Sequence, residues 1–165
     1  MWVYPRAATA QHFLFGTFNT WIEDGIGIFR NANGTAYNIR MKSDLEDTYL
    51  SKTITCTLNT WNMITIVYTG TICITYLNGN SPSSTTYGLN GTVYNGNIMV
   101  GNSKYHSTPD SENEEALISD VRFYSTALSA EDILSLYNTS AKISNNSTVL
   151  GYEIKEDGNT SHILK

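Results

Sequence analysis

The feature that most constrains this chain is a pair of runs folded around one glycine. Residues 61–69 and 71–77 read as a β-hairpin closed at Gly70. In the first run Asn62, Ile64, Ile66 and Tyr68 share one face, and Trp61, Met63, Thr65 and Val67 share the other. Both faces carry large apolar groups, so the strand is central and needs cover on both sides. A chain built on such a strand folds in layers.

Turn residues punctuate the rest. Strands are expected at 12–18, 27–30, 36–42 and 53–58, with Asn31-Ala32-Asn33-Gly34 turning the second into the third. Asn78-Gly79-Asn80 ends the hairpin, and 81–84, which contains Pro82, reads as a loop. A short strand follows at 97–101. Residues 102–115 are polar and acidic around Pro109 and read as a surface loop. The last strand of this series is expected at 117–124. Leu117, Val121 and Phe123 lie on one face, and Ile118, Asp120, Arg122 and Tyr124 on the other. Asp120 and Arg122 then form a rim ion pair worth about 0–1 kcal/mol. Trp61 and Phe123 are expected in the core.

One helix is well specified. Ser129 is the N-cap, Asp132 closes a capping box, and Leu128 and Ile133 form a hydrophobic staple. Ala130, Ile133, Leu134 and Tyr137 make one apolar stripe, and Asn138 suits a left-handed C-cap. Residues 140–147 read as a polar linker, 148–154 as a last strand, and the remaining tail as polar. The expectation is an all-β, two-sheet antiparallel sandwich over 1–139, with one short C-terminal helix, and an extension over 140–165.

Length suits one domain at 165 residues. Only 15% of residues are charged, against roughly 25% in average globular chains. Thr, Asn and Ser take their place, which favours strands and tight turns. A net charge of −5 with no basic run argues against nucleic acid as a partner. No apolar stretch is long enough to span a membrane. The N-terminus lacks the zones of a signal peptide. Cys56 and Cys73 sit among β-branched residues, as two buried thiols or as a cross-strand disulfide.

These pieces resemble the concanavalin A-like lectin/glucanase superfamily, specifically its laminin-G-like jelly rolls. The match runs through Trp2-Val3-Tyr4-Pro5, then Trp61 to Gly79, then Ile98-Met99-Val100-Gly101-Asn102. It ends on Ile118-Ser119-Asp120-Val121-Arg122-Phe123-Tyr124 with Ala127-Leu128-Ser129, Ile133 and Leu136-Tyr137. Phage structural and tail proteins often carry such a domain, with a similar Leu-Tyr-Asn-Thr-Ser after the helix. The resemblance therefore implies a virion or extracellular, cell-surface setting. Glu114-Glu115-Ala116 replaces the family's usual Phe-x-Gly. The family also places strands before its Trp-x-x-Pro segment, whereas Trp2 opens this chain. Those strands come from another chain or an upstream segment, are replaced by residues 148–154, or are made unnecessary by oligomerisation. Protein partners in a larger assembly are expected on that ground.

Catalysis finds no support in the residues. Asp44 and Glu46 share a side, but no third carboxylate completes the Glu-x-Asp-x-x-Glu arrangement of the superfamily's glycanases. His12, His106 and His162 are scattered. No cofactor is expected. Calcium, which takes about six to eight oxygens, would suit the run 110–115 best, and a hydrated loop is the simpler reading. A non-enzymatic binding or structural module remains, with a glycan or host-surface polysaccharide as its ligand. Its carbohydrate-binding candidates are aromatic or polar residues near loops: Trp21, Tyr37, Tyr87, Tyr105 and His106, with Tyr94 beside them. Ordinary packing is the competing role for each aromatic. A purely structural subunit without ligand is the alternative, and a glycan hydrolase ranks below both.

Overall fold

The computed structural model describes residues 1–6, 12–17, 25–30, 34–42, 50–70, 72–86, 98–101 and 116–145. Within them the elements run β1 Trp2–Pro5, β2 His12–Gly16, β3 Gly25–Arg30, β4 Ala36–Lys42, β5 Leu50–Thr55 and β6 Asn62–Tyr68. Then come β7 Ile72–Leu77, β8 Asn80–Thr86, β9 Met99–Val100, β10 Ala116–Ser119 and α1 Ala130–Asn145. The strands form two five-stranded antiparallel sheets, ordered β10-β1-β6-β7-β8 and β5-β4-β3-β2-β9. This is the expected sandwich with one C-terminal helix.

The double-sided strand explains the layering. On one face of β6, Ile64 joins Val3 against Leu14, Phe15, Ile28, Tyr37, Ile39 and Ile54 of the second sheet. On the other face, Met63 and Val67 join Trp2 and Tyr76 beneath Ile133 of α1. The first sheet is thus sandwiched between helix and second sheet, and β6 is covered on both sides as its sequence requires. Ile133 is fully buried, a placement worth at most about 3 kcal/mol in apolar transfer.

The hairpin turn forms at Gly70 as expected, and Asn78-Gly79, expected only to end the strand, makes a second one into β8. Gly70 has φ 91, and Asn78 and Gly79 have φ 53 and 77, the left-handed pair of a tight hairpin turn. Gly79 has a second reason to be glycine. A Cβ there would meet Cβ of Tyr137 at 3.0 Å and Cα of Leu134 at 3.3 Å, so α1 lies directly on the turn. The capping box is also present. The Ser129 amide donates to Oδ2 of Asp132 at 3.1 Å, and the Asp132 amide donates to Oγ of Ser129 at 3.1 Å. The Ser129 hydrogen bonds hold the exposed Asp132 carboxyl below its ordinary pKa.

Four expectations need correction. Residues 81–84 belong to edge strand β8 rather than a loop. Pro82 falls where the register shifts between Leu77↔Asn80 and Thr75↔Ser83, and a bulge on an edge tolerates the missing donor. Second, the strand expected to reach Tyr124 stops at Ser119, because Asp120 turns to φ 51. Ser119, the last residue of the strand, pairs with Trp2 of β1. The face assignment also reverses: Leu117 is exposed while Ile118 packs on the core. Third, Phe123 is 60% exposed rather than buried. Trp61 is half-buried, edge-on to Tyr4 at 5.6 Å. Fourth, α1 passes Asn138 and ends at Asn145, so the boundary expected at 139/140 falls inside the helix. No glycine or proline interrupts 130–147, and nothing forces an earlier stop. Leu134, expected in the buried stripe, is 43% exposed, because the helix meets the turn at Gly79 along its flank.

Cys56 and Cys73 are both buried free thiols. Burial pushes the Cys73 thiol up to about 11. The expected loop 102–115 and last strand 148–154 lie outside the described residues. So do the carboxylates at 44 and 46, the run 110–115 and His106 and His162.

Candidate functional site

The site grows from the point where β10 ends. Asp120 bends the chain out of the first sheet, and residues 120–128 arch from β10 to the N-cap of α1. Beneath the arch is a cavity of about 330 Å³. Its floor is apolar, made by Phe15, Ile26 and Ile28 of the second sheet and by Ile64 and Ile66 of β6. Its mouth carries Asp120, Arg122, Phe123, Tyr124, Ser125 and Thr126, with Leu128 and Leu136 at the helix side.

The mouth is chemically mixed. Nε of Arg122 donates to Oδ1 of Asp120 at 2.5 Å across the bend. This is the ion pair expected from the sequence, made on a turn instead of a strand. The hydrogen bond to Asp120 raises the Arg122 pKa still further, so the guanidinium is a fixed cation. Its side chain remains 46% exposed, which leaves other donors of the fork available for a planar or hydroxylated ligand. Phe123 leans on Phe15, with ring centroids 5.7 Å apart, and still exposes most of its surface. Tyr124 is 48% exposed. Two adjacent exposed aromatics beside an arginine are unusual in a chain whose other described aromatics mostly pack inward.

The start of the chain closes one side of this cavity. The Met1 amine donates to the Ile64 carbonyl at 3.1 Å, and the Ile64 amide donates to the Met1 carbonyl at 2.9 Å. Burial lowers the amine's pKa, which nearby Asp120 partly offsets.

The sequence-derived candidates do not converge here. Tyr37 is 0% exposed on β4, in the core between the sheets, with the Arg30 guanidinium 5.8 Å from its ring centroid. Its ring offers no face to a ligand, because β4 alternation points it inward with Ile39. Trp21, Tyr87, Tyr94, Tyr105 and His106 lie outside the described residues. Arg122, Phe123 and Tyr124 are absent from the sequence candidates, because the alternation there continues as a strand and puts Phe123 in the core. What marks them is the positive φ of Asp120, which ends the strand and is visible only in the structure. No group of three or more His, Cys, Asp or Glu gathers among the described residues. No helix among them is long and apolar enough to cross a membrane.

Known structures share this architecture. A Ruminococcus gnavus IT-sialidase CBM40 bound to α2,3-sialyllactose superposes with a TM-score of 0.63 at 11% identity, covering 82% of this chain and 79% of that one. The receptor-binding domain of botulinum neurotoxin D superposes with a TM-score of 0.60 at 15% identity, covering 84% of this chain. This chain spans 36% of that neurotoxin chain. A botulinum neurotoxin type C structure, whose cell entry depends on two ganglioside molecules, gives a TM-score of 0.57 at 17% identity, covering 84% of this chain and 34% of that one. No curated protein matches the chain in sequence. The family model for the laminin-G-like group of the concanavalin A-like lectin/glucanases superfamily matches residues 1–134, so the chain belongs to the concanavalin A-like lectin/glucanase superfamily.

Proposed function

We propose that this domain is a non-catalytic carbohydrate-binding module whose ligand rests on the mouth formed by Arg122, Phe123 and Tyr124. The observation that carries the reading is the exposed aromatic pair beside a fixed guanidinium at the entrance of a cavity. Aromatic rings present an apolar face to the C–H face of a pyranose, and a guanidinium fork binds carboxylate or hydroxyl oxygens. The sialyllactose-bound module of the same fold supports a sugar as the ligand class, and an acidic sugar suits Arg122. Net charge of −5 would slow the approach of an acidic glycan, so the affinity must come from short-range contacts at the mouth. Trp21, Tyr87, Tyr105 and His106 remain candidates for extending the surface. The setting that suits such a module is a virion, as in phage capsids and tails, or a cell exterior.

A glycan array followed by calorimetry tests this. Sialyllactose should bind more tightly than lactose, and Phe123→Ala should weaken binding at least about tenfold, the loss of one stacking contact. Arg122→Ala should remove the preference for sialyllactose. Binding unchanged by both substitutions would move the site elsewhere, and silence across a broad array would remove the glycan altogether.

A second reading has its own observation. Ile98, Val100 and Leu117 are exposed on or beside the edge strands β9 and β10. Apolar groups at sheet edges suit protein contacts in an assembly. A particle map showing a neighbour against this edge would favour that role.

A further inference from the structure

Three residues other than glycine take a positive φ among the described residues: Asn59, Asn78 and Asp120. Asparagine enters the left-handed region readily, and Asn78 uses it to open the turn at Gly79. Asp120 is the exception. It takes φ 51 at the end of β10, in a run whose alternation would otherwise continue a strand. Glycine adopts that φ without strain, so the backbone alone does not call for a carboxylate here. Nor does local capping, because among the described residues no main-chain amide donates to the Asp120 carboxylate. Its partner is Nε of Arg122, which donates to Oδ1 at 2.5 Å. A strained residue that spends its side chain on a neighbouring exposed cation points to a role at a site.

An arginine held this way differs from a free one. The guanidinium carries five N–H donors in a rigid plane, and a bond through Nε leaves the two Nη groups at the far end of the fork. The Arg122 side chain keeps 46% of its surface exposed, against 32% for Asp120. The Tyr124 hydroxyl is a second tether, and after Asp120 it is the next contributor to the raised Arg122 pKa. A free arginine gives up rotamer freedom when it binds a ligand, and a pinned one has given it up already.

We infer that Asp120 is the positioning residue of the glycan mouth: it pins Nε of Arg122 so that the Nη end of the fork meets a sugar carboxylate end-on. This rests on the reading of Arg122, Phe123 and Tyr124 as that mouth. Asp120 also sets how the mouth selects. Its negative charge offsets that of Arg122 at close range, so an acidic sugar gains little from net charge. Selection then comes from shape, as two parallel N–H···O bonds to one planar carboxylate. A carboxylate acting only as a counter-ion would do the reverse, since its removal would strengthen the binding of any anion. The two roles therefore differ in sign.

Asp120→Asn and Asp120→Gly separate them, because both residues accept the positive φ and neither carries the charge. Calorimetry with sialyllactose and lactose should show the preference for sialyllactose falling at least about tenfold in both variants. The Arg122 Nε–H resonance in NMR spectra of the ligand-free protein should exchange with water at least about tenfold faster than in the wild type, having lost its charge-assisted partner. Thermal unfolding should place both variants within about 3 °C of the wild type. A larger fall would mean that the carboxylate holds the fold and would overturn the inference. So would a sialyllactose affinity that rises in both variants, the mark of a counter-ion, or a preference that does not change. Absence of sialyllactose binding in the wild-type chain would overturn the glycan reading and this inference with it, and a protected Nε–H would then mark the pair as structural.

Discussion

At its Asn62 end β6 is tied on both sides, by β1 and by the turn out of β7, whereas at its Tyr68 end β7 is its one partner among the described residues. The tied end uses side chains as well as ladder bonds. Asn62, 1% exposed, accepts from the Thr57 amide at 3.0 Å and donates to the Thr57 and Thr60 carbonyls at 2.9 and 2.8 Å. Asn78 accepts from the Met63 amide at 2.8 Å, and the Asn59 amide reaches the Pro5 carbonyl at 2.8 Å. Three elements meet there and α1 lies across them. The other end offers an apolar floor and an arch carrying exposed rings. One strand thus supplies both the anchor of the fold and part of the wall of the cavity. A site of this kind needs a rigid end to hold the open one in shape.

That contrast predicts where substitutions hurt most. The largest effect is expected from Gly79→Ala, which forces a positive φ on a residue with a Cβ and pushes that Cβ into the backbone of Leu134 and the stem of Tyr137. Urea unfolding should show a loss of about 2–4 kcal/mol. A loss under about 1 kcal/mol would mean that the helix does not press on the turn. Next comes Asn62→Ala, which removes the acceptor of the Thr57 amide and the donor to the Thr60 carbonyl, while the Thr57 carbonyl keeps the Thr60 hydroxyl, and it should cost about 1–2 kcal/mol. If it costs no more than a surface substitution, the tied end is not the anchor.

The anchor is the more legible half in sequence, for a physical reason. Asn78-Gly79, Ser129 with Asp132 and the two-faced run from Asn62 each express a local requirement: positive φ, an orphan amide, cover on both faces. The opening is defined by the bend at Asp120, whose positive φ no residue type in the run announces. The run 117–124 therefore reads as one strand, and Phe123 as core. The same blindness puts Tyr37 among the sugar candidates, because an inward aromatic and a ligand-stacking one share a composition and differ only in the face that pairing gives them. Pro82 misleads by its usual meaning; only the position of β8 at the sheet edge makes a proline acceptable there.

A smaller effect is expected at the start of α1. Ser129→Ala removes the acceptor of the Asp132 amide and the partner of its carboxylate. Thermal unfolding should register about 1 kcal/mol. The variant should also lose part of the wild-type acid sensitivity. A depressed Asp132 pKa stabilises the fold above the ordinary carboxylate range, and that contribution fades as pH falls through the depressed value. If the variant keeps the full acid slope, the capping box is not its source.

The smallest expected effect is a slope that belongs to the open end. Burial of the Met1 amine lowers its pKa below the ordinary 8.0. Between the lowered value and 8.0 the unfolded chain holds a proton that the folded chain has released. Stability therefore rises with pH across that window and levels off above it. Below the lowered value both states are protonated, and the cost of burying the charge is present in full. Acetylating the amine removes the titration and should flatten the slope, while the histidines contribute equally to both forms and cancel in the comparison. Parallel pH profiles for the two forms would mean that the amine is solvated and that the first strand does not seal the edge of the cavity. A difference confined below about pH 8 would place the amine where the Ile64 hydrogen bond puts it, on the boundary between the tied end of β6 and the open one.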